Sequence, residues 1–264
     1  MVRCSNFTNT DESSTTVSVL NARLIPEIKT SFDKRDIVGC FILHDLENDT
    51  SIIYNEERSK QEFLPASTYK ILNSLIALEC KVVEDENEII YWDSLKRSVA
   101  IWNQSHNMKT GIKYSVVWFY QELARRIGEK NMQKWVRHVG YGNQQIGQKI
   151  DDFWLVGDLR ITPREQVEFL KHFVNEELPF ASENIKKVKE MIIEDEQEGY
   201  VFRAKTGWAD IGIPVGWYIG YIEINNKSYI FVNNIEIKNN RDAKARKEIT
   251  SEIFKAIFGI DLNI

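Results

Sequence analysis

Ser67-Thr68-Tyr69-Lys70 follows Pro65-Ala66 and opens a run of apolar residues. A serine alcohol is a poor nucleophile until a base takes its proton, and a neutral lysine amine is one such base. In a helix, Ser67 and Lys70 share a face three residues apart, so hydroxyl and amine come within hydrogen-bond reach. The helix N-terminus carries a partial positive charge that favours a developing alkoxide or oxyanion. Leu64, Leu75 and other apolar neighbours would depress the Lys70 pKa and favour the neutral amine. A capping serine followed by a solvated lysine also fits this motif taken alone.

Two further stretches add to it. Ser115-Val116-Val117 opens a helix with the serine hydroxyl at its cap, which by itself reads as an ordinary N-cap. Lys205-Thr206-Gly207 ends a strand, where a lysine is usually solvated. Gly207 would let a substrate backbone approach the sheet closely, and Lys205 and Thr206 offer donors to an anion.

The elements that must position these residues are strands at both ends and helices between. Ile37 to His44 and Ser51 to Tyr54 read as a hairpin about Glu47-Asn48-Asp49-Thr50, and Tyr200 to Lys205, Trp217 to Ile224 and Tyr229 to Ile235 as three more strands. An almost wholly apolar helix follows Thr68, and Val116, Tyr120, Leu123, Ala124 and Ile127 recur at helical spacing up to Gly128. Thr162-Pro163-Arg164-Glu165 is a helix start with cap, proline and capping-box glutamate in order. Asp242 begins a last helix closed by Gly259. The fold class is therefore α+β: an antiparallel sheet built from N- and C-terminal strands, packed with helices, plus an inserted mostly helical lobe. The cleft between the lobes is the expected site. Residues 1–22 read as a disordered lead-in and 23–264 as a single two-lobed domain.

Composition sets limits. The chain has 264 residues, 43% hydrophobic and 28% charged, with seven Trp, enough for a sizeable core. Its 34 Lys and Arg against 39 Asp and Glu give a net charge of −5, which provides no general attraction to nucleic acid or an anionic membrane. Only 13 Gly and 5 Pro exclude collagen-like and largely disordered chains. Cys4, Cys40 and Cys80 form no disulfide framework. His44, His106, His138 and His172 are scattered, so no metal site is expected. No apolar run is long enough to span a bilayer. The first residues lack a signal-peptide core, and Cys4-Ser5-Asn6 is similar to the start of a mature bacterial lipoprotein without its preceding lipobox; a lipid anchor at Cys4 stays open.

The order S-x-x-K, S-x-V, K-T-G resembles the penicillin-recognising serine enzymes, and details within it resemble the class D, oxacillinase-type β-lactamases. Tyr141-Gly142-Asn143 matches their Tyr-Gly-Asn box, and Asp152-Phe153-Trp154-Leu155 the segment bearing their active-site tryptophan. Pro65-Ala66-Ser67-Thr68, Trp92-Asp93, the stretch Tyr120 to Arg125 and Gly216-Trp217 are similar as well. The likeness runs from about Gly39 to Ile260.

What the resemblance implies is specific. Ser67 would attack the β-lactam carbonyl and form an acyl-enzyme. Lys70 would react with carbon dioxide to give an N-carboxylated general base, with no other cofactor. Trp154, otherwise a core aromatic, would hydrogen-bond that carbamate. Val117 would keep it dry, and Leu155 would control water entry. Ser115 would relay a proton to the leaving nitrogen. The N–H groups of Ser67 and Trp208 would form the oxyanion hole. Lys205, Thr206 and Gly207, with Arg246, would hold the substrate carboxylate, although Arg246 also reads as a helix-surface charge. The protein would act outside the bacterial cytoplasm. Trp118 and Phe119 stand where many members carry Pro-Val, which would reshape the cleft wall. The rival reading is a non-hydrolytic sensor domain of a penicillin-responsive receptor. Sensors usually carry Asn in place of Val117, so Val117 favours hydrolysis.

Overall fold

The apolar runs at the two ends of the chain pair with each other. In a computed structural model that describes residues 24–264, strand β1 (Gly39–Asp45) turns back into β2 (Thr50–Tyr54). Asp45 fixes the turn by accepting the backbone N–H groups of Glu47 and Asn48 at 3.0 and 3.1 Å. The expected lead-in and Cys4 lie outside the described residues. Strands β3 (Ile193–Gln197), β4 (Tyr200–Ala209), β5 (Val215–Ile224) and β6 (Lys227–Ile235) follow the helical middle. The sheet order is β2-β1-β6-β5-β4-β3 with every pair antiparallel, so the first hairpin joins the last strand along Gly39↔Ile235 to Asp45↔Tyr229.

Strand β3 has no counterpart in the sequence reading. Its residues, Ile-Glu-Asp-Glu-Gln, carry three acids, and it lies at the sheet edge with a bulge between Ile193 and Asp195. Charge and bulging are how edge strands avoid further pairing, and they erase the apolar signal of a strand.

The inner strands are almost continuously apolar because helices cover both faces. On one face Phe41, Leu43, Phe202, Tyr218 and Phe231 pack against helices α1 (24–33) and α9 (Asn240–Phe258). On the other, Cys40, Ile42, Trp217, Ile219 and Val232 join the core of the helical lobe. That lobe comprises α2 (Glu56–Ser59), α3 (Lys70–Glu79), α4 (Met108–Lys113), α5 (Val117–Ile127), α6 (Glu129–Val139), α7 (Pro163–Val174) and α8 (Ser182–Met191). Helix α3 is buried from Lys70 through Leu78 and forms its centre. Thr162 and Glu165 close the expected capping box of α7. Helix α9 starts earlier than expected: Asn239 caps it, and Asp242 is the third helical residue, returning to the Asn239 N–H at 3.1 Å.

One side chain ties the sheet to the segment before Ser67. Buried Trp217 on β5 donates its indole N–H to the Leu64 carbonyl at 2.8 Å and meets Phe63 edge-on. Trp217→Phe keeps a ring there but leaves that carbonyl unpaired, and should cost about 1–3 kcal/mol in urea denaturation.

Candidate active site

Pro65 leads into a single 3₁₀ turn, Ala66–Tyr69, and the α-helix itself begins only at Lys70. Side chains at i and i+3 eclipse in 3₁₀ geometry, so the turn aligns Ser67 with Lys70 more directly than an α-helix would. Ser67 is half-buried, and its Oγ lies 2.7 Å from Lys70 Nζ. Three bonds hold the turn. Thr68 Oγ1 donates to the Pro65 carbonyl (2.7 Å), Gln166 Nε2 on α7 donates to Thr68 Oγ1 (3.0 Å), and the Ala66 N–H donates to the Trp154 carbonyl (2.9 Å). They also hold Ala66 at φ +49°, a left-handed conformation costing an L-residue about 1–2 kcal/mol.

The Lys70 side chain is fully buried, with Nζ 5.3 Å from the centre of the Tyr120 ring. Tyr120 is fixed by a 2.8 Å hydrogen bond to Ser74. Burial, aided by the like charge of Lys205, pushes the Lys70 amine well below the ordinary lysine value.

Ser115 corrects the sequence reading. Val116, not Ser115, is the N-cap of α5, and no side chain caps that helix. Ser115 is held at φ +54°, and its hydroxyl accepts from Lys205 Nζ at 2.7 Å. Lys205 is no solvated strand end either. It is 4% exposed, donates also to the Thr206 carbonyl (3.1 Å), and burial lowers its pKa to about 7.

Gly207 sets the spacing between lobes. A Cβ there would lie 3.0 Å from the Pro65 carbonyl oxygen and 3.1 Å from Thr68 Cγ2, so the strand end rests directly on the serine turn. Arg246 on α9 donates from Nη1 to the Gly207 carbonyl at 2.7 Å. It is therefore not a surface charge; burial lowers its pKa to about 10.

Trp154 is fully buried and stacks on Tyr69, the neighbour of Lys70, at 5.5 Å between ring centres. Its indole Nε1 has no hydrogen-bond partner among the described residues, an uncommon state for a buried donor. Val117 and Leu155 are half-buried, and Leu155 packs on the helical core. Trp208, 41% exposed, follows Gly207 on β4 opposite Gly216. Trp118 and Phe119 are buried in the helical lobe. Trp118 Nε1 bonds the Trp102 carbonyl (2.8 Å), and Trp102 Nε1 bonds the Tyr114 carbonyl (3.0 Å), bracing the approach to Ser115.

Two hydroxyl–amine pairs thus meet, Ser67 with Lys70 and Ser115 with Lys205, close enough for one lysine to act on the other. Such an arrangement can activate an alcohol, pass a proton and bind an anion. Gln166, which supports it, had no functional signal in the sequence, being one polar residue on an amphipathic helix, and Tyr120 was marked only as part of a stretch similar to the family, with no role of its own. The cost of burying Lys70 is testable. Its amine binds a proton near 10.5 when unfolded and only well below that when folded, so across that interval the unfolded state holds more protons and folding is penalised. Lys70→Met should therefore raise stability at neutral pH by about 0.5–2 kcal/mol in urea denaturation while abolishing activity.

Comparisons with known proteins agree with this geometry. The penicillin binding protein transpeptidase domain matches residues 27–258. The probable β-lactamase YbxI of Bacillus subtilis (strain 168) is 41% identical over 84% of this chain and 81% of that protein. The crystal structure of a class D β-lactamase, YbXI from Nostoc, superposes with a TM-score of 0.85 at 44% identity, covering 87% of this chain and 98% of that one. The regulatory protein BlaR1 of Bacillus licheniformis is 33% identical over 86% of this chain and 38% of its own length. Fold, motif geometry and similarity together make this chain a member of the class D serine β-lactamases, within the penicillin-binding transpeptidase family.

Proposed function

We propose that the protein hydrolyses penicillin-type β-lactams through an acyl-enzyme on Ser67, with carboxylated Lys70 as the general base. One observation carries this reading: a fully buried amine 2.7 Å from the serine hydroxyl, whose acid–base behaviour is set by burial and by another cation. Reaction with carbon dioxide requires an uncharged amine, and this environment favours one. The surroundings fit the carboxylated side chain, since the buried Trp154 Nε1 offers a donor without a partner. Carboxylation supplies a base for both acylation and deacylation; Trp154 holds it, Val117 keeps it dry, and Leu155 controls water entry beside it.

The other residues take roles that their positions support. Ser67 Oγ attacks the lactam carbonyl, and the N–H groups of Ser67 and Trp208 receive the oxyanion. Ser115 passes a proton to the departing lactam nitrogen, with Lys205 at 2.7 Å to restore it. Lys205, Thr206 and Arg246 bind the substrate carboxylate, and Gly207 lets the substrate lie along β4. Both lobes contribute, so 23–264 acts as a single unit. We place this activity outside the cytoplasm, where its substrates act; among the described residues no helix is long and apolar enough to cross a membrane.

The similarity to BlaR1 favours a second reading, a sensor that is acylated and stays so. Turnover separates the two. The chain should hydrolyse many equivalents of a penicillin, whereas a single stoichiometric burst would establish the sensor. Ser67→Ala should show no penicillin adduct by mass spectrometry, and an adduct persisting there would move the nucleophile elsewhere.

Carboxylation has a definite pH sign. As pH falls through the lowered Lys70 value the amine protonates and carbon dioxide is lost, so activity should fall on the acid side and recover with added bicarbonate. Active enzyme in labelled carbon dioxide should show a carbamate carbon resonance; active enzyme without it would refute the base assignment.

A further inference from the structure

Strand β3, silent in the sequence, brings a carboxylate close to the cationic end of the site. Glu194 accepts the Tyr218 hydroxyl at 2.6 Å and pairs with Lys247 at 2.7 Å, both through Oε2. Tyr218 is fully buried on β5, directly opposite Thr206 of the Lys-Thr-Gly segment. Lys247 follows Arg246 on α9, and Arg246 holds the Gly207 carbonyl. Glu194, Lys205, Lys247, Lys113 and Tyr114 line one cavity of about 570 Å³ beside the Ser115–Lys205 pair.

We propose that Glu194 is a positioning residue for the substrate carboxylate: anchored by Tyr218 and Lys247, it sets a negative charge in the cavity it shares with Lys205 behind the strand end. This rests on the hydrolase reading above and deepens it. Without an anion in that cavity, buried Lys205 beside Arg246 and Lys247 would shed its proton and lose its hold on a carboxylate. Lys205 is the vulnerable member. It bonds Ser115 before α5, lies near Lys70 of α3 and Arg246 of α9, and shares its cavity with Glu194 of β3, Lys247 of α9, Lys109 and Lys113 of α4, Tyr114 and Glu190 of α8. Burial already lowers its pKa to about 7, with Glu194 raising it and Arg246 and Lys247 lowering it further. Glu194 is also the foremost charge that raises Arg246.

The test is the pH dependence of kcat/KM for a penicillin, which reports groups of the free enzyme. Lys205 must be charged to bind the carboxylate, so its titration gives the alkaline limb, whereas Lys70 gives the acid limb. Glu194→Gln should move the alkaline limb to lower pH by about one unit, a loss of about tenfold in kcat/KM at alkaline pH. Glu194→Asp should restore most of it. Lys247→Met breaks the same ion pair but removes a positive neighbour, so its limb should move to higher pH. A purely structural ion pair predicts losses of the same sign for both variants. Unmoved alkaline limbs, or equal losses in both variants at every pH, overturn the proposal. The bicarbonate-sensitive acid limb should stay in place in both variants, and absence of turnover in the parent chain instead overturns the hydrolase reading beneath it.

Discussion

The rest of the site depends on stripping water from one amine. A lysine on an exposed helix is a cation; Lys70 is pushed towards its neutral form because α3 runs through the centre of the helical lobe, buried from Lys70 through Leu78. That placement requires an apolar helix, a layer of helices around it and a sheet to close the lobe from the other side. It also requires that Ser67 stay half-buried, with its hydroxyl within reach of that amine. The two-lobed architecture is the minimum cover that makes Lys70 dry and leaves Ser67 accessible.

The arrangement holds conformations and charges that would relax if left alone. Ala66 and Ser115 both occupy left-handed backbone beside the reacting groups, and such strain persists only where surrounding contacts over-determine it. Hydrogen bonds from Gln166, Thr68 and the Trp154 segment supply that for the Ser67 turn. At the far wall, Lys205 and Arg246 concentrate positive charge in a chain whose net charge is −5. Net charge says little about a cleft; the local balance between these cations and Glu194 matters more, because low dielectric magnifies each of them.

Much of this was legible in the sequence because it is local. Ser67 and Lys70 are three residues apart, Lys205, Thr206 and Gly207 are consecutive, and the capping box at Thr162 spans one turn. Apolar periodicity revealed the central strands and the helices that bury one face. The reading failed where a residue's role is assigned by something distant. Ser115 looked like a helix cap until Lys205, far along the chain, claimed its hydroxyl. Arg246, read as a carboxylate holder with a helix-surface charge as the alternative, loses that alternative once the Gly207 carbonyl accepts its guanidinium. How deeply Trp118 and Phe119 are buried was not legible, because it depends on the helical lobe closing over them.

The sequence by itself determined the chemistry available: a serine with its amine, a second serine, a cationic strand end, and the apolar elements to carry them. Tertiary structure alone decided the state of those groups. Desolvation of Lys70, the Ser115–Lys205 contact, the close approach enforced at Gly207 and the arrival of Glu194 on a charged edge strand all depend on segments remote in the chain meeting in space. Protonation and hydrogen bonding answer to the total surroundings of an atom, and no local pattern of residues specifies those.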